Sequence, residues 1–154
     1  MIPILHMPPP WAWATIAGYR STHGISGEFR HLRGPAAVVA TNTNYGVAQA
    51  MRWMREMGIE VPMKKNLHQG AMVGVVDIAD CLRRQDVKEY LFLDEHPWQL
   101  VLVDPLALRV PVCSKRFRPK VGLPAKEALA ALAGQRCDVG RAYATKLREL
   151  MEDE

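Results

Sequence analysis

The stretch Pro10-Trp11-Ala12-Trp13-Ala14-Thr15-Ile16-Ala17-Gly18-Tyr19-Arg20 decides how the rest of the chain is read. Proline suits the first turn of a helix, where its missing N–H costs no hydrogen bond. Trp11, Ala14, Ile16 and Ala17 then recur close to helical spacing. Gly18 comes after the last periodic residue, where a helix end favours a residue able to adopt positive φ. The pattern predicts a helix of about two turns over residues 10–18, which delivers Tyr19 and Arg20 to the loop just beyond it.

Upstream, residues 2–7 read as a short edge strand, because Pro3 cannot donate to a ladder, and Pro8-Pro9-Pro10 stiffens the approach to the helix. Downstream, residues 21–32 form a long Gly-containing loop with His23, Glu28, Arg30 and His31, of a length that favours function over mere connection. Arg33-Gly34-Pro35 leads into the apolar run 36–40, a buried strand. Asn42, Thr43 and Asn44 are N-cap candidates for a second helix over 45–57, with Val47, Met51 and Met54 on its apolar face and Gly58 closing it.

The clearest strand is Gly-Ala-Met-Val-Gly-Val-Val-Asp-Ile-Ala, residues 70–79. Its near-continuous apolar character places it centrally, buried on both faces, and Gly74 within it marks a bulge or tight bend. Residues 80–95 read as loop with a short helix. Strands occupy 97–103 and 106–112 around an Asp104-Pro105 turn. Residues 113–120 are basic and irregular, 124–133 helical, and Asp138 caps a last helix to about Met151. Short strands interrupted by helices indicate an α+β fold of mixed and antiparallel strands around a small, partly open barrel.

The chain has 154 residues, 49% hydrophobic and 23% charged. These are the proportions of one soluble globule able to bury a core without staples. The formal net charge of +4 suits an anionic partner. Cys81, Cys113 and Cys137 are odd in number, widely spaced and without a C-x-x-C pair, which argues against a disulfide framework or zinc knuckle. Free thiols fit a reducing cytosol. No leader pattern and no membrane-length apolar run are present, so a cytoplasmic location is expected. The five histidines show no ligand spacing, so no metal or other cofactor is expected.

Pro10-Trp11-Ala12, Gly18-x-Arg20, Arg33-Gly34-Pro35-Ala-Ala-Val-Val-Ala, and Gly70-Ala-Met-Val-Gly-Val-Val-Asp-Ile-Ala-Asp-Cys81 occur in that order. Trp98, Pro111-Val112 and Lys115 come after them. Together they resemble the signatures of the ASCH domain family, PUA-like β-barrels associated with RNA. The resemblance covers roughly residues 8–124 and divides the chain into a barrel domain, 1–124, and a C-terminal helical extension packed on it, 125–154. It implies a cleft near Arg20 that holds RNA, a nucleotide or a modified nucleoside. Members of the family include ribonucleases and hydrolases of an acetylated nucleoside. The chain departs from the family's Gly-x-Lys-x-x-Glu-x-Arg at three positions, with Arg20, His23 and Ile25 there instead. Glu28-x-Arg30 supplies the missing pair only after a shift of five residues along the loop. Arginine stays protonated and cannot shuttle a proton as lysine does, though it can clamp a phosphate through two donors. The substitution moves the reading from catalysis toward binding.

The candidate ligand-binding residues are Trp13, Tyr19, Arg20, Arg33, Lys115, Arg116, Arg118 and Lys120. Trp13 and Tyr19 are placed to stack on bases, whereas Trp11 is expected in the core. Lys115-Arg116-Phe117-Arg118-Pro119-Lys120 is the most nucleic-acid-like run; its bland counterpart is a solvated turn. The catalytic candidates are Arg20, His23 and Asp77. Arg20 read from position alone is a solvated cation at a helix C-terminus, His23 an unassigned loop histidine, and Asp80 a cap for the segment after it. Gly24 and Gly27 lack the spacing of a phosphate-binding loop. The leading function is an RNA- or nucleotide-binding domain. The alternatives are a metal-independent hydrolase acting on RNA or a modified nucleoside, and a protein-interaction module whose C-terminal helix docks a partner.

Overall fold

A computed structural model of the chain describes residues 1–87, 94–113, 122–133, 135 and 137–153. Its strands are β1 (Ile2–Met7), β2 (Thr22–Ile25), β3 (Gly34–Ala40), β4 (Ala71–Arg83), β5 (Trp98–Cys113) and β6 (Gly122–Leu123). Its helices are α1 (Pro9–Ile16), α2 (Val47–Glu56), α3 (Ala125–Ala131) and α4 (Asp138–Glu152). The strands form one mixed sheet in the order β2-β5-β4-β3-β1-β6. Only β1 and β3 run parallel; the other neighbours are antiparallel.

The α+β class stands, but the sheet is not closed into the expected barrel. Closure requires the first and last strands of the order to share hydrogen bonds. Here those strands are β2, of 4 residues, paired with β5, and β6, of 2 residues, paired with β1. They end the sheet at opposite edges and do not pair with each other among the described residues. The edge assignment of residues 2–7 is likewise corrected: β1 lies inside the sheet, with β3 along one side and β6 at Ile2 and Pro3 on the other.

Strand alternation sends side chains to two cores. Leu5, Met7, Ala36, Val38, Ala40, Val76 and Ile78 pack with Ala12 of α1 on one face. Ile2, Ile4, Ala37, Val39, Met72 and Val75 pack on the other with Leu132 and with Tyr143 and Leu147 of α4. Full burial of such apolar side chains is worth roughly 1.5–3 kcal/mol each, so α3 and α4 are anchored on the sheet. The strand expected to be central and buried on both faces is therefore β4, extended to Arg83.

The bulge expected at Gly74 is present, with the pairing of β4 to both neighbours shifting register beside it. The Asp104-Pro105 turn is absent as a hairpin. Residues 98–113 are one strand, kinked where Asp104 takes φ 51° and the register to β4 slips. Asp104 can occupy this left-handed region because its short polar side chain tolerates it. The hydroxyl of Tyr143 donates to the carbonyl oxygen of Asp104 at 2.7 Å, pinning α4 to the kink.

Three local readings change. The loop 21–32 contains β2 and a 3-10 turn, Gly27–Phe29. The cap of α2 is Gly46 at φ 71°, not one of the preceding Asn or Thr residues, because the chain enters this helix through a left-handed turn that only glycine takes without cost. The cap of α4 is Cys137, whose sulfur accepts from the Gly140 N–H, and Asp138 is the first helical residue.

Candidate functional site

The site grows from the C-terminal end of α1. Gly18, at φ 89°, reverses the chain, and the Tyr19 and Arg20 N–H groups return to the Ala14 carbonyl oxygen. This turn drives the Arg20 side chain inward. It is 7% exposed, so it is not the solvated cation that its position alone suggests. Its guanidinium lies 5.1 Å from the centre of the Trp11 ring, and its Nη2 donates to Asp94 Oδ2 at 3.2 Å.

Asp94 joins the cluster together. Its Oδ2 accepts from the Gly24 N–H at 3.0 Å. Its Oδ1 accepts from Gln99 Nε2 at 2.6 Å and from the His96 N–H at 2.9 Å, and lies 3.1 Å from His96 Nδ1. Burial alone would raise the Asp94 carboxyl pKa. The Gln99 and His96 hydrogen bonds and the Arg20 charge outweigh that effect and hold it below the usual range. Arg20 is shifted down by burial, with Asp94 opposing. The pair therefore stays ionised and neutralises itself.

His23, on β2, completes the cluster. It is half-buried, and burial followed by the Arg20 charge pushes its pKa down to about 4. The imidazole is neutral at physiological pH. Arg20 Nε, His23 Nδ1, Thr22 Oγ1 and Gln99 Oε1 are buried without a hydrogen-bond partner among the described residues. Buried polar atoms are almost always paired with protein, water or ligand. The arrangement can thus offer donors and acceptors to a polar ligand edge while contributing no net charge.

Arg20 and His23 are brought together as one cluster. Trp13 and Tyr19 stack on each other at 5.6 Å and 28°, with Tyr19 44% exposed and next to Arg20 in the chain, and Trp13 packs toward Met54 and Ile59. Trp11, expected in the core, is half-buried; it carries Arg20 on its face and Trp53 edge-on at 5.8 Å. Arg33 stands apart on the surface with Asp80 at 3.4 Å. Asp80 lies within β4 and accepts from the Cys81 N–H, so it caps no helix. Asp77 is on the α4 side of the sheet, paired with Lys146 at 2.5 Å. Lys115, Arg116, Arg118 and Lys120 lie outside the described residues.

Sequence reasoning misses Asp94, His96 and Gln99. One signal is available: Gln99 is a lone polar residue at the start of the apolar run 100–103. Among the described residues, no group of three or more His, Cys, Asp or Glu side chains is placed to hold a metal ion. No described helix is long and apolar enough to cross a membrane. No protein-family model matches the chain, nor does any curated protein sequence.

Proposed function

We propose that this chain is an ASCH-like, PUA-like domain that binds RNA or a nucleotide through the cluster around Arg20. The observation that carries the reading is the fixed Arg20 guanidinium, held on the Trp11 face and against Asp94, with its Nε, like His23 Nδ1 and Gln99 Oε1, unpartnered among the described residues. A preorganised fork of this kind loses little freedom when a ligand arrives. The Trp13–Tyr19 stack, joined to Arg20 through the chain at Tyr19, adds aromatic surface of the sort that bases use. Binding ranks above hydrolysis for a second reason. A general base works best with a pKa near the working pH, and His23 at about 4 is far too weak a base at neutrality.

The test is fluorescence anisotropy with labelled oligoribonucleotides, run beside a cleavage assay in metal-free buffer. Wild-type protein should bind without turnover. Arg20→Lys should keep part of the affinity and Arg20→Ala little, with folding of each checked by circular dichroism. Metal-independent cleavage that rises in Arg20→Lys would replace this reading with the hydrolase. No binding by the wild type, with a partner retained at high salt through α4, would replace it with the interaction module.

A further inference from the structure

At the far end of β4 and the start of β5, two guanidinium groups gather at the Trp98 indole: Arg30 lies 5.6 Å and Arg83 5.3 Å from its ring centre. Arg83 is the strand partner of Trp98, and Gly27 leaves room for the indole edge, since a β-carbon there would sit 3.1 Å from Trp98 Nε1. Arg30 and Arg83 are both exposed, and neither forms an ion pair with a carboxylate among the described residues. Arg33, by contrast, is committed to Asp80 and to the Arg30 and Leu32 carbonyl oxygens. A guanidinium that packs by its face keeps the in-plane N–H donors at its edge for an anion.

Arg83 and Trp98 line a surface groove of about 490 Å³ together with Arg84, Gln85 and Pro97, and none of its described lining residues is acidic; Arg30 reaches the indole from outside that lining. Glu28 and Asp86 belong to the adjoining turns but do not line it. Arg84 Nε donates to the Asp94 carbonyl oxygen at 2.7 Å. Asp94 thus touches the groove through its backbone and Arg20 through its carboxylate.

We infer that the Trp98 groove is a phosphate site, in which Arg83 from the groove lining and Arg30 from beside the indole bind the phosphodiester backbone of the RNA whose neighbouring nucleotide engages the Arg20 cluster. The inference rests on the binding function proposed above and assigns the charge-bearing part of the ligand to a separate place. The Arg20 cluster is already neutralised by Asp94, whereas Arg30 and Arg83 carry charge that no described carboxylate offsets. Phosphate contacts of this type position a nucleic acid without reading its sequence.

The experiment uses the full chain and the double variant R30Q/R83Q, whose side chains make no described hydrogen bond that the substitution would break. Oligoribonucleotide affinity is measured against salt, and inorganic phosphate is titrated while the arginine Nε–H and Trp98 indole resonances are followed. The expected result is weaker binding at low salt and a log K against log salt slope shallower by roughly 0.7 for each phosphate contact removed. An unchanged slope, with Arg20→Ala still abolishing binding, overturns the groove and leaves the Arg20 reading intact. Wild-type protein that shifts these resonances with inorganic phosphate but binds no oligoribonucleotide supports an anion site for free phosphate and removes the RNA reading. Response to neither probe overturns both.

Discussion

Gly24 and Asp94 share one space: the Gly24 N–H donates to Asp94 Oδ2 at 3.0 Å, and a β-carbon on Gly24 would stand 2.1 Å from Asp94 Oδ1. A carboxylate at the end of a free side chain would move aside cheaply. This one is tied to Arg20, Gln99 and His96, so moving it strands a nearly buried guanidinium.

Gly24→Ala should therefore act as a lesion of the whole cluster. Breaking a fully buried ion pair costs roughly 3–5 kcal/mol. Asp94 is 30% exposed, so the expected loss is smaller, about 2 kcal/mol, as measured by urea unfolding of the variant. Asp94→Asn, which keeps the shape and removes the charge, should show a similar loss. A Gly24→Ala protein as stable as wild type would mean that Asp94 is not held where its hydrogen bonds place it.

His23 sets the pH dependence of stability. In the folded chain its imidazole protonates near pH 4, and in the unfolded chain near its ordinary value of 6.5. Between those values the unfolded chain binds more protons, so stability rises with pH. The contribution is fully present above about pH 6.5 and is lost as pH falls to about 4, amounting to about 3 kcal/mol at most. Asp94 adds loss at still lower pH, because its folded pKa is depressed. His23→Gln should flatten the profile between pH 6.5 and 4 and leave the steeper fall below it, as read from thermal unfolding across pH.

Tyr143→Phe tests how α4 is fastened. The tyrosine is 2% exposed and its hydroxyl reaches the Asp104 carbonyl oxygen at 2.7 Å. Removing the donor should cost about 1 kcal/mol while leaving the apolar contact of the ring. A loss of several kcal/mol would show that the kink at Asp104 depends on that one hydrogen bond.

The legibility of each element tracks the range of the interactions that make it. The helix at α1 and the buried strands β3 and β4 rest on local periodicity and turn chemistry, and both can be read along the chain. Thr22-His23-Gly24-Ile25 reads as loop because its strand character comes from pairing with residues 98–101, far along the chain. Asp104-Pro105 has the composition of a turn, yet β4 continues alongside it and holds it in a single strand. Arg20 and His23 are legible as candidates. Their partner Asp94 is not, since the ion pair joins residues 74 positions apart and no short-range pattern encodes it. The same holds for Trp98 and its two arginines, which come from three different segments of the chain.

Gly74 supplies the sharpest test of the fold. It sits at the bulge of β4, where α1 crosses the sheet, and a β-carbon there would meet the Leu106 carbonyl oxygen at 2.4 Å and Ile16 Cγ2 at 2.6 Å. The first contact is backbone in the neighbouring strand and cannot rotate away; the second is a side chain packed against the core on the α1 face. Overpacking of a well-filled core costs typically 1–3 kcal/mol, and two contacts this short put Gly74→Ala at the upper end, about 3 kcal/mol. Trimming the helix side in Ile16→Ala/Gly74→Ala should recover little, because the clash with the Leu106 carbonyl persists and a core-packed isoleucine is gone. Urea unfolding of the single and double variants measures both quantities. A Gly74→Ala protein within about 0.5 kcal/mol of wild type, the range of an ordinary surface substitution, would show that β4 and β5 are not in register around the bulge as described.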